Sequence, residues 1–127
     1  MNNEAGDDFE SNLYHILRTP RRRQTISILY ERELPVVPLR SLAREISARE
    51  EQVQVSHATG EPYRNVYNSL SQTHLPALQD AGVIIYDPQR QTISPGPNLS
   101  VAALLLRIGA VTVAHFEPST GTDFDDQ

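Results

Sequence analysis

Apolar side chains recur at helical spacing through most of this chain. Phe9, Leu13, Ile16 and Leu17 stand at i, i+4, i+7 and i+8, the stripe of an amphipathic helix, with Asp7 and Glu10 as a capping box at its start. That helix ends near Arg18. Thr19 and Pro20 supply an N-cap and a first-position proline for a second helix, whose apolar side is Ile26, Ile28, Leu29 and Tyr30 and which closes by Glu33. Leu34 to Pro38 is short, β-branched and bracketed by prolines, so Val36 and Val37 are expected as a brief edge strand or extended link. Leu39, Leu42, Ala43 and Ile46 give a third helix one buried face and leave Arg40, Arg44, Glu45 and Arg49 outside.

From Glu50 to Gly60 periodicity gives way to loop chemistry. A long helix from Glu61 to Ala81 follows. At about 100° per residue, Val66, Tyr67, Leu70, His74, Ala77 and Leu78 gather on one side of it, and Arg64, Asn65, Asn68 and Gln72 on the other. Pro76 should kink or divide this helix, and Gly82 should end it. Val83 to Tyr86, the turn Asp87-Pro88-Gln89-Arg90 and Gln91 to Ser94 read as a short hairpin. Leu99 to Ile108 is apolar around nearly its whole circumference, broken only by Ser100 and Arg107, so it needs cover on more than one face. Ala110 to Phe116 offers one such cover.

Composition narrows the class. The chain has 127 residues, 39% of them hydrophobic, enough for one domain with a modest core. It has no cysteine, which excludes disulfides, thiol nucleophiles and cysteine-based metal sites. The acidic N-terminus is unlike a basic signal peptide. The longest apolar run, Val101 to Leu106, is far below the ~18 residues that span a bilayer, so a cytoplasmic protein without membrane contact is expected. Net charge is −5, but residues 1–10 and 117–127 each hold four acids and no base. Residues 11–116 hold the other eight acids against eleven bases, a balance of +3 that suits an anionic partner. All eleven bases are arginine, and a lysine-free, acid-rich chain fits a very salty cytoplasm.

The expected fold is mainly α with a small β-hairpin. Its element order is that of a winged helix-turn-helix with an additional C-terminal helix. Thr19-Pro20-Arg21-Arg22-Arg23, the run from Ser69 to Leu78 and the run from Asp80 to Pro88 give the chain a closer likeness. Over roughly residues 12–95 it resembles a winged-helix family abundant in haloarchaea and, more distantly, is similar to ArsR-type transcriptional regulators. The resemblance implies a small DNA-binding regulator, a dimer, reading DNA with the helix from Glu61 to Ala81. Two features depart from that pattern: Pro38 stands where a Ser or Thr cap is usual, and Pro62-Tyr63-Arg64-Asn65 is less basic than a typical recognition-helix start. The expected organisation is an acidic disordered N-terminus at 1–8, the winged helix-turn-helix at 9–95, an apolar dimerisation helix at 96–116 and an acidic disordered tail at 117–127.

Arg64, Asn65, Asn68 and Gln72 are residue types that make bidentate contacts with base edges in a major groove, although any exposed helix face is polar. Arg21, Arg22 and Arg23 crowd a helix start, where like charge and the macrodipole both oppose them. Phosphate contact would explain them, as would burial of one in a pair with Glu31, Glu45 or Asp80. Arg90, in the hairpin turn, is a further phosphate candidate. Val101, Leu104, Leu105 and Ile108 are the expected dimer interface. His15, His57, His74 and His115 lack metal-type spacing, and His74 is expected as a packed, hydrogen-bonded core histidine rather than a ligand. No phosphate loop, carboxylate pair or nucleophile with its base is discernible, so neither an enzyme, a cofactor nor a small-molecule ligand is expected. The leading expectation is a homodimer on duplex DNA. The alternative is a non-catalytic protein–protein interaction module on the same fold.

Overall fold

The computed structural model describes residues 13–116, with side chains as far as Gly109. The chain is mainly helical, with one small antiparallel sheet. In chain order the elements are α1 (13–17 of the described residues), α2 (Pro20–Arg32), β1 (Val37–Pro38), α3 (Leu39–Glu51), a 3-10 turn (Val55–His57), α4 (Gly60–Ser69), a π turn (Leu70–His74), α5 (Leu75–Asp80), β2 (Ile84–Asp87), β3 (Thr92–Pro95) and α6 (Leu99–Phe116). Phe9, the capping box at Asp7 and Glu10, and both acidic end segments lie outside the described residues.

Helix α2 is the hub, packing against α3, α6, β3 and the π turn. Thr25, Ile26, Ile28 and Leu29 are its buried residues, and the Thr25 hydroxyl donates to the Arg21 carbonyl at 2.8 Å, which satisfies a polar group inside the core. Tyr30, expected on the apolar side, is 39% exposed because it stands about 100° beyond Leu29, past the edge of the buried arc. Thr19 occupies the N-cap position, but its side chain makes no cap bond; its backbone carbonyl instead accepts from Arg22 and Arg23.

The sheet has the order β1-β3-β2, so β1 is an edge strand, where proline is tolerated. It starts one residue later than the sequence suggests: Val37 pairs with Ile93 and is buried, while Val36 is exposed. The first amide of α3, on Leu39, donates to the Gln91 carbonyl at 2.8 Å. The end of the hairpin turn thus does the capping that Pro38 cannot. Strands β2 and β3 are also displaced by one residue from expectation, pairing Ile84 with Pro95 and Tyr86 with Ile93. Between them the Asp87 carboxylate accepts the amides of Gln89 and Arg90 at 3.0 and 3.2 Å, an Asx turn that shapes the tip.

Pro76, in the first turn of α5, divides the long helix into α4 and α5, with a π turn between them. The strain appears one turn earlier, as the π turn at Leu70–His74: Pro76 has no N–H to donate, its ring presses on the preceding turn, and a wider turn relieves both. The inserted residue changes the phase of everything after it. Leu75, outside the expected stripe, is thereby rotated into the core, while His74 and Ala77 are only half-buried. The helix closes in a Schellman arrangement: Gly82, at φ +75°, donates to Gln79 at 2.9 Å, and Val83 donates to Leu78 at 3.0 Å, with Leu78 and Val83 both fully buried.

Gly96 then passes so close to this closure that an added Cβ would lie 2.5 Å from the Gly82 carbonyl oxygen. Asn98 Nδ2 donates to the Ala81 carbonyl at 2.9 Å, tying the start of α6 to the end of α5. Helix α6 buries Leu99, Ala102 and Ala103 and continues to Phe116, so Ala110 to Phe116 extends the helix instead of folding back as a cap.

Gly96→Ala should therefore cost ~1 to 3 kcal/mol through overpacking against backbone. Gly109→Ala, whose added methyl meets nothing within 4 Å, should gain roughly 0.5 to 1 kcal/mol from helix propensity. Urea midpoints of the two variants check this; a Gly96→Ala protein as stable as the parent would refute the close approach.

Candidate nucleic-acid interface

Helix α4 is held by α3. Val66, and Leu70 just beyond the helix, are buried, Tyr63 and Tyr67 are half-buried with ring centroids 6.0 Å apart, and the Arg44 guanidinium from α3 lies 5.6 Å from the Tyr63 ring centroid. With that side fixed, Arg64, Asn65 and Asn68 are left exposed within about 100° of one another, and Gln72 is exposed in the π turn that follows. All four residues chosen for base contact are thus available at the surface. Glu61, in the first turn of α4, complements the helix dipole and opposes a phosphate there.

The arginines at the start of α2 are placed differently from expectation. Arg21 binds the Glu50 carboxylate with both Nε and Nη2, at 2.7 and 2.9 Å, so its partner is neither Glu31, Glu45 nor Asp80. This bond raises the Arg21 pKa further above its ordinary value, burial opposing. Arg22 donates through Nε to His74 Nδ1 at 2.9 Å. Arg23 donates to the Leu17 carbonyl at 2.8 Å, placing a cation at the end of α1 where the helix dipole favours one. Arg21, Arg22 and Arg23, the expected phosphate contacts, each make an intramolecular contact, and these three contacts explain why like charges crowd one helix start. None was readable locally, because Glu50 and His74 lie 29 and 52 residues away in sequence.

Arg90 remains available at the hairpin tip: its side chain is 84% exposed and 3.9 Å from Asp87, a weak pair in water. Arg40 and Arg44, which the sequence assigned only to the outer face of α3, are also exposed, and no carboxylate pairs with either among the described residues. Arg32 and Arg49 by contrast share the Glu45 carboxylate. The signal for Arg40 and Arg44 was present in their outward phase on the helix that supports α4.

His74 is hydrogen-bonded as expected, but it is half-buried at the edge of the core and not inside it. An arginine N–H can donate only to an unprotonated ring nitrogen, so the neutral imidazole carries its proton on Nε2. Burial, then the charges of Arg22 and Arg21, lower its pKa. Among the described residues no His, Asp and Glu side chains gather into a metal site, and no helix is long and apolar enough to cross a membrane.

Residues 14–94 match the family described as "Domain of unknown function (DUF7344)", and the chain belongs to that family. The match takes in α2 through β2 and stops within β3, leaving α6 outside it. No curated protein and no solved structure matches the chain.

The lowered His74 pKa carries a pH dependence with a definite sign. Unfolded chains take up this proton as pH falls through about 6.5, while the folded protein resists it to lower pH. Its contribution to stability is complete above about 6.5 and is lost as pH falls from there toward the folded pKa. Urea midpoints measured between about pH 7.5 and 5.5 should fall more steeply for the parent than for His74→Gln; parallel curves would contradict the assignment.

Proposed function

We propose that this chain is a winged helix-turn-helix protein that binds double-stranded DNA as a cytoplasmic transcriptional regulator, with α3 and α4 as the helix-turn-helix and the β2–β3 hairpin as the wing. The observation that carries this reading is the exposed set Arg64, Asn65, Asn68 and Gln72 on a helix whose other side is locked to α3. Arg40, Arg44 and Arg90 are the phosphate contacts in this reading, in place of Arg21, Arg22 and Arg23. The likeness to winged helices of haloarchaea and to ArsR-type regulators belongs to the same proposal, as does the absence of lysine. In molar salt the Debye length is only ~3 Å, so affinity rests on close contacts.

The regulator acts as a homodimer through α6. Val101, Leu104, Leu105 and Ile108 are exposed by 38 to 52% and fall at i, i+3, i+4 and i+7, a seam that a second copy can match about a two-fold axis. The same stripe favours the second reading, a non-catalytic module that docks a different protein with α6.

A DNA titration over a range of salt separates the roles. Asn68→Ala and Gln72→Ala should each cost ~1 to 3 kcal/mol on the preferred sequence and little on random DNA. Arg40→Gln, Arg44→Gln and Arg90→Gln should weaken all sequences alike, each flattening the salt slope by about one unit. Leu104→Asp should abolish the advantage of a palindrome while leaving a half-site unaffected. Absence of salt-dependent binding by the parent protein would favour the docking module instead.

A further inference from the structure

We propose that the groove between α1, α2 and α6 is a binding site for an amphipathic organic anion, an apolar chain or ring bearing a carboxylate. The groove has a volume of about 800 Å³, within the size range of small-molecule sites. Tyr14, Leu17, Leu105 and Leu106 form its apolar wall, and Tyr14 and Leu105 hold substantial apolar surface in water. Arg18, Arg23 and Arg49 bring three guanidiniums to the same groove, and among the described residues no carboxylate lines it.

The charge is available to a ligand. Arg18 is exposed and has no carboxylate partner among the described residues. Arg49 shares Glu45 with Arg32, so Glu45 keeps a partner if Arg49 turns to a ligand. Arg23 commits Nη1 to the Leu17 carbonyl and thereby fixes a guanidinium beside the apolar wall. Ser27 adds a hydroxyl that can donate to a carboxylate. Apolar surface faced by unneutralised arginine matches a molecule with both characters. A neutral oil leaves the charge unmet, and a cationic amphiphile is repelled.

The site is separate from the α4 face and stands without the DNA reading. It adjoins the apolar stripe of α6 through Leu105, so an occupant lies beside the surface on which copies would pair.

The test is calorimetric titration of the full chain with decanoate, with methyl shifts recorded at Leu17 and Leu106. Saturable one-to-one binding with a Kd below about 1 mM is expected. Decyltrimethylammonium should not bind, and Arg18→Glu, a change at an exposed position, should lower decanoate affinity roughly tenfold. Failure of decanoate to bind, equal binding of the cationic analogue, or unchanged affinity in Arg18→Glu overturns the proposal. Failure to bind is the result expected if a second copy of α6 or an acidic segment of the chain fills the groove.

Discussion

A single hydrogen bond, from Arg22 Nε to His74 Nδ1, joins the hub helix α2 to the π turn between α4 and α5. The π turn is where Pro76 has displaced regular helical bonding, so it is the segment of the long helix least able to hold its own geometry. The bond ties this turn to α2 alongside Leu70, Leu75 and Leu78, all fully buried in the core. The bond needs a neutral imidazole, and the half-buried position beside two guanidiniums keeps the ring neutral.

The same economy runs through the other arginines. A chain whose only base is arginine has, at each position, a planar donor able to grip a carboxylate, a carbonyl or a ring. Arg21 uses it on Glu50, Arg23 on the end of α1 and Arg44 on Tyr63, so arginine side chains link α1, α2, α3 and α4 to one another. Each exposed contact is worth little alone, up to about 1 kcal/mol, but each orients a helix. The cost is that the densest basic run in the sequence is spent on the fold. An anion must be met by arginines outside these links or by guanidinium N–H groups that the links leave over, and these divide between the α3–α4 side and the groove beside α6.

The buried face of α3 was legible because local periodicity alone decides it, with Leu39, Leu42, Ala43 and Ile46 all in the core, whereas on α2 Ile26, Ile28 and Leu29 were placed correctly and Tyr30 was not. The exposed base-reading candidates follow from the same phase, since Val66 and Leu70 inward place Arg64, Asn65 and Asn68 outward. Strands were legible as elements but misplaced by one residue, because a two-residue edge strand has too little alternation to set its own register. Leu75 was missed because one residue inserted by a π turn is invisible to a fixed angular step. The partners of Arg21 and Arg22 were missed because only the tertiary fold brings Glu50 and His74 within reach. The amphiphile groove was missed for the same reason, its walls coming from helices at opposite ends of the chain.

The central claim is that an α4 face locked onto α3 meets DNA while the arginines of α2 hold the fold. Amide and side-chain shift mapping of the full chain titrated with duplex DNA tests it most directly. The account predicts shifts centred on Arg64, Asn65, Asn68 and Gln72, with guanidinium shifts at Arg40, Arg44 and Arg90, and an undisturbed Arg22–His74 contact. Shifts centred on Arg21, Arg22 and Arg23 with loss of that contact, or no shifts at any salt concentration, would contradict it.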